Sequence, residues 1–213
     1  MNRYKKRELN IKVDELPFQN LFSTQYSMTV RVNAQKTYEY SKRNNMSFFN
    51  ITSACILEAI NEIPEFKRRI IDGKVYEYEK INAITPLIME DNSLRVLEIL
   101  PVSEHESIRE YNKYLECKKN NIEKYQFMED PSMSDVLPIC SFSCIPWINF
   151  DSMSNIMSSA NQLMPVITWG KLASGKISLS VAASYMFMSQ YHFQLLYEKI
   201  EGYLKNPELM EEE

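Results

Sequence analysis

Two imidazoles, four thiols and one strand-to-helix turn are the places where this 213-residue chain could do chemistry. The turn lies in KISLSVAASYMFMSQYHFQLLYEKI, residues 176–200, which opens with the alternation of a strand and closes with the spacing of a helix. Turns of this kind can present a reacting group at the end of a sheet. From Ser184 to Gln190 this one reads Ser-Tyr-Met-Phe-Met-Ser-Gln, with no acid, thiol or imidazole. His192 follows at the opening of the last helix, where a cap or a structural hydrogen bond is expected before a general base. His105, in the stretch SEHE, is expected to face solvent. Cys55, Cys117, Cys140 and Cys144 contain no C-x-x-C pair, and two histidines are too few to build a zinc site around them. No metal and no disulfide framework is expected, and reduced thiols suit a cytoplasmic protein.

The totals narrow the field further. A 45% hydrophobic and 24% charged composition is that of a folded chain with room for one sizeable core, here taken as one domain over residues 1–213. A net charge of −4 gives a nucleic-acid partner no electrostatic support. The N-terminal MNRYKKRELNIKVDEL lacks the apolar run of a signal peptide, and no window approaches the roughly 18 apolar residues of a membrane span.

The elements that must position the turn can be read from pattern. YSMTVRVN (26–33) alternates as a half-buried strand, and AQKTYEYSKRNN after it reads as a short helix. NITSACILEAINEIP (50–64) is a more apolar helix, capped at Asn50 or Thr52 and stopped by Pro64. Asp72-Gly73 between β-rich flanks marks a hairpin over 70–81. Two more strands flank Asp91-Asn92. Ser103 and Glu106 have capping-box spacing and are expected to open a long helix carrying Ile108, Tyr111, Leu115 and Ile122 on one stripe. VLPICSFSCIPWINF (136–150) is strand-like, and MPVITWG (164–170) pairs with KISLSVAA (176–183) across LASG. Strands and helices mix without strict alternation, so the expected class is α+β, a mixed sheet packed with helices.

Several stretches together resemble the chloramphenicol acetyltransferase family. EFKRRIIDGKVYEYEKI is similar to that family's Glu-Phe-x-x-Arg-Ile-x-Asp-Gly hairpin. SCIPWINFDSM resembles its Ser-x-x-Pro-Trp-x-x-Phe-x-Ser strand, and MPVITWGK its Pro-Val-x-Thr-x-x-Lys strand. The matches fall in order along almost the whole chain. The resemblance implies a homotrimer with active sites between subunits, and transfer of an acetyl group from acetyl-CoA, as co-substrate, to a hydroxyl of chloramphenicol. It also implies a histidine base in a His-His-x-x-x-Asp-Gly motif, a serine that binds the oxyanion, and an aspartate paired with an N-terminal arginine.

Laid on that motif, Ser184 and Tyr185 fall where the two histidines stand, Ser189 on the aspartate and Gln190 on the glycine. His192 matches a later histidine. Tyr185 is read as an aromatic closing a pocket floor before it is read as a base, because a neutral phenol is a very poor base near neutral pH. Losing a positioned base costs about 10²–10⁴ in rate. Glutamine resists the left-handed backbone that glycine permits, so a rebuilt turn is expected at residue 190. The arginine's place falls on Ile11 without a gap, or on Lys6 or Arg7 with one. Ser143 matches the oxyanion serine, Thr168 a channel threonine, Lys171 a position able to reach a CoA phosphate, and Phe18 an aromatic beside the antibiotic. Trp147 and Phe150 are expected in the core. Met186 and Met188 are expected to fill volume inside the altered turn. The resulting expectation is a family member whose acetyl transfer is impaired or lost. Two alternatives remain: an active transferase using His192 or Tyr185 as base, or a non-catalytic trimer that binds a small-molecule acceptor or CoA.

Overall fold

Alternating side chains and well-placed turns give this chain nine strands and five helices among the described residues, which are 4–21, 23–125, 136–154 and 163–211 of a computed structural model. In chain order these are β1 (Lys6–Lys12), β2 (Gln25–Asn33), α1 (Gln35–Arg43), α2 (Phe48–Asn61), β3 (Arg68–Ile71), β4 (Lys74–Tyr78) and β5 (Asn82–Ile88). They continue with β6 (Leu94–Ile99), α3 (Ile108–Asn120), α4 (Ile122–Tyr125), β7 (Ile139–Ile145), β8 (Val166–Gly170), β9 (Lys176–Ser184) and α5 (Gln190–Lys205). The large sheet has the order β2-β9-β8-β7-β5-β6, and a smaller one the order β1-β4-β3. In the large sheet β7 runs parallel to β5 and β8, while the remaining pairs are antiparallel. The architecture is the α+β, mixed-sheet class that the pattern implies.

The period of two along each strand decides which face is buried. Ile177, Leu179, Val181 and Ala183 of β9 enter the main core, as do Ile167 and Trp169 of β8 and Cys140 and Phe142 of β7. The helices cover that face. α2 is apolar nearly all round, with Ile51, Ala54, Cys55 and Ile56 fully buried, because it is packed between the sheet and its neighbouring helices. The opposite sheet face carries hydroxyls and a separate apolar cluster of Ile139, Met164, Val166 and Ala182, with Ile84 and Leu137 against it.

Three local readings differ from the sequence. α2 starts earlier than expected, because Ser47 accepts from the Asn50 N–H at 3.4 Å. That frees the Asn50 side chain to bond Asn112, Glu116 and Lys119. The long helix starts at Ile108, capped by Ser107, which accepts from the Glu110 N–H at 3.2 Å. Ser107 and Glu110 have the same spacing as Ser103 and Glu106, and the later pair wins because Val102–Glu104 is taken up in a 3-10 turn after Pro101. His105 consequently lies outside the helix in extended backbone, half-buried, with its ring 4.5 Å from Tyr114 and 5.6 Å from Tyr111. It is not a solvent-facing residue. The strand β1 has no counterpart in the sequence reading, since KRELNIK carries more charge than most strands.

Candidate functional site

The altered turn is held by its own side chains. β9 ends at Ser184, whose hydroxyl shares a 2.7 Å hydrogen bond with that of Thr24 and accepts from the Met186 N–H at 3.3 Å. The Ser184 carbonyl takes the Phe187 and Met188 N–H groups, which closes the turn. Met186, Phe187 and Met188 are buried in the main core. The left-handed residues among those described include Phe18 but not Gln190, which is instead the first residue of α5.

Tyr185 points away from that core. Its ring meets Phe18 edge-on at 5.0 Å and lies tilted against Tyr26 at 5.1 Å. Its hydroxyl donates to Gln190 Oε1 at 2.7 Å, so the phenol proton is committed to an amide that cannot take it away. Phe18, half exposed, holds φ at 60°, a conformation rare for a bulky side chain.

Ser189 caps α5, and His192 completes the cap. His192 Nδ1 accepts from the Ser189 N–H at 3.0 Å and lies 3.1 Å from Ser189 Oγ, while Nε2 is 3.7 Å from Glu65. The three residues share the composition of a Ser-His-acid triad, but the single acceptor lone pair of a neutral imidazole is taken by the backbone N–H. The arrangement is therefore a capping box with histidine in the glutamate's role. Glu65 continues into a charged chain: Arg68 at 2.9 Å, then Glu77 at 3.3 Å, then Arg7 at 2.6 Å. Burial would raise the Glu77 carboxyl's pKa, but Arg7 and Arg68 outweigh it and hold it below the usual range. Neither candidate cation for the family's arginine meets Ser189: Arg7 pairs with Glu77, and Lys6 lies over the rings of Tyr76 and Tyr78.

Ser143 and Thr168 lie far from this turn. They are direct partners across β7 and β8, and Thr168 in turn faces Ser180 and Ser180 faces Thr29. Four hydroxyl residues thus cross four strands on the helix-free face. Thr168 and Ser180 are fully buried, and the Ser180 hydroxyl has no hydrogen-bond partner. Tyr185 stands five positions beyond Ser180, roughly 16 Å along an extended strand, with two further strand spacings to Ser143. Within one chain, therefore, the structure does not bring Tyr185, Ser189 or His192 together with Ser143 and Thr168.

At the other end of β8 lies a groove of about 680 Å³ lined by Phe49, Leu87, Cys144, Trp147, Trp169 and Lys171, among others. Trp147 is 70% exposed here, contrary to the expectation of a core residue, because Pro146 ends β7 and turns the chain outward. Trp169 stacks on Phe49 at 5.5 Å, and Lys119 Nζ stands 4.7 Å above the Phe49 ring. Burial pushes the Cys144 thiol up to about 11, tempered by the nearby Lys119 charge. Gly170 is required: a Cβ there would meet the Ile148 carbonyl oxygen at 2.7 Å, the same oxygen that accepts from the Lys171 N–H. Lys119 was missed from sequence: the buried stripe of α3 runs through Ile108, Tyr111, Leu115 and Lys118, and Lys119 stands beside it, half-buried, with nothing in the pattern to single it out. A shallower depression of about 760 Å³ over β1 and the Asp72–Gly73 turn holds none of these residues.

Comparison with solved structures agrees with this arrangement. One described as "chloramphenicol acetyltransferase" matches at a TM-score of 0.74 and 22% identity, covering 93% of this chain and 100% of that one. A probable dihydrolipoamide acetyltransferase from Listeria monocytogenes matches at 0.64 and 14% identity, over 94% and 88% of the two chains. The dihydrolipoamide acetyltransferase of Azotobacter vinelandii matches at 0.63 and 10%, over 92% and 84%. At these identities the likeness establishes the acyltransferase fold alone. No curated protein sequence matches the chain. The family model "Chloramphenicol acetyltransferase" matches residues 2–195, and the chain belongs to the chloramphenicol acetyltransferase family.

Proposed function

We propose that this protein keeps the family's trimeric scaffold and binds acetyl-CoA in the groove, but is impaired in O-acetyl transfer to chloramphenicol. One observation carries this reading. The turn that would supply the base offers Tyr185, whose proton goes to Gln190, and His192, whose acceptor nitrogen is occupied by the Ser189 N–H. Neither is available to take a proton from an acceptor hydroxyl. The positions able to bind the carrier and the oxyanion persist: Lys171 and Trp147 in the groove, Ser143 and Thr168 in the sheet.

Distance and surface support assembly of copies, taken here as the trimer that the family resemblance implies. Tyr185 and Ser143 are too far apart to share a site within one chain, so a site containing both needs two copies. The helix-free face offers the apolar cluster around Ile139 and Val166 for such contact. No metal takes part in this reading, and the acceptor is a small molecule. The test is release of free CoA thiol from acetyl-CoA by the purified protein, with and without chloramphenicol. Release no faster than buffer in both cases is expected, while binding of CoA is retained. Chloramphenicol-dependent release would overturn the reading.

A further inference from the structure

The described lining of the groove carries cations without a carboxylate among them. It includes two lysines, Lys119 and Lys171, and no aspartate or glutamate. Four other clefts, in a protein of net charge −4, each carry at least one carboxylate. Lys119 is also pre-oriented. Its ammonium donates to Asn50 Oδ1 at 2.6 Å and to Glu116 Oε1 at 3.1 Å, and its charge sits over the Phe49 ring. An ammonium has three N–H donors, so one remains for a ligand. Glu116, the compensating carboxylate, does not line the groove. The first turn of α2, which does, contains no acidic residue, so its dipole adds positive potential at the same place.

We propose that Lys119, acting with Lys171, is a phosphate-binding residue of this groove and that it anchors the nucleotide end of the acyl carrier. The proposal rests on the CoA reading above and adds to it a residue on α3 together with the division of the groove into two ends. Lys119 and Lys171 take phosphate, and the surfaces of Leu87, Pro146 and Trp147 take the uncharged arm that ends in the thiol. Glu116 tunes the anchor by competing with the phosphate for the Lys119 ammonium.

The experiment is calorimetric binding of CoA, of adenosine 3′,5′-bisphosphate and of pantetheine, which lacks phosphate. It uses the full chain and its Lys119→Gln and Glu116→Gln variants, with melting curves run beside them. The native chain is expected to bind CoA and the bisphosphate. Lys119→Gln should weaken both about tenfold or more, the loss of one charge-assisted hydrogen bond, and leave pantetheine within about twofold. Glu116→Gln should tighten both, because it frees the ammonium while keeping an acceptor for Asn50. A merely structural lysine would give no such gain. If native protein binds CoA and Lys119→Gln binds it equally well, the lysine assignment falls and the carrier reading stands. An equal loss for pantetheine also overturns the assignment. Native protein that binds neither CoA nor the bisphosphate overturns both.

Discussion

A neutral imidazole has one acceptor nitrogen, and His192 spends it on the Ser189 N–H. Its contribution is therefore to the start of α5. His192→Ala should cost about 1 kcal/mol of stability, the usual worth of a cap, read as a lower denaturation midpoint. It should leave CoA binding unchanged. His105 has a different role and a different pH signature. Burial between Tyr111 and Tyr114 lowers its pKa, so the folded state binds its proton less readily than the unfolded chain does. The sign follows from linkage: stability is intact above about pH 6.5, the unfolded histidine value, and falls as pH drops below it. Melting curves at pH 7 and pH 5 should show the loss, and His105→Phe should reduce it. At Tyr185 the geometry that excludes a base is also a fixed aromatic contact, Phe18 against Tyr185 against Tyr26.

Among the elements, the small sheet depends on one carboxylate. Glu77 of β4 accepts from Arg7 of β1 and from Arg68 of β3 and is nearly buried. Glu77→Gln keeps the shape but removes the charge, and should cost about 2 kcal/mol, the scale of hydrogen bonds to a charged group. The loss should appear first as faster amide exchange in β1. Gly170→Ala should be destabilising by about 1–3 kcal/mol and should weaken CoA binding, because the new Cβ pushes on the Ile148 carbonyl beside the groove. The large sheet and α5 were legible because their apolar periods are regular and the β5–β6 turn uses Asn92 at φ 62°, while the β3–β4 hairpin of the small sheet was legible from Asp72-Gly73, with φ of 50° and 74°. β1 was not, since its partners lie some seventy residues away and its own pattern is charged. The start of α3 differs from the reading because two Ser-x-x-Glu pairs compete within eight residues, and the 3-10 turn after Pro101 takes up the first. Of the candidate site, the changed turn could be read letter by letter. The groove could not, since Phe49, Lys119 and Trp169 come from α2, α3 and β8 and meet only in the fold.

On the scale of the whole molecule, the two halves of the candidate chemistry sit apart in one chain, which makes assembly part of the function proposed for it. Sedimentation should find a trimer. Ile84→Lys, which sets a charge against the apolar cluster of the helix-free face, should shift it toward monomer. The central claim is that an intact acyltransferase scaffold has lost only the chemistry of its turn. Its most direct test is acceptor-dependent release of CoA thiol, measured for the native chain beside the Tyr185→His/Ser189→Asp/Gln190→Gly variant. No release by the native chain and measurable chloramphenicol-dependent release by the variant is the result expected. Turnover by the native chain at or above that of the variant would contradict the account and return the search for a base to His192 and Tyr185.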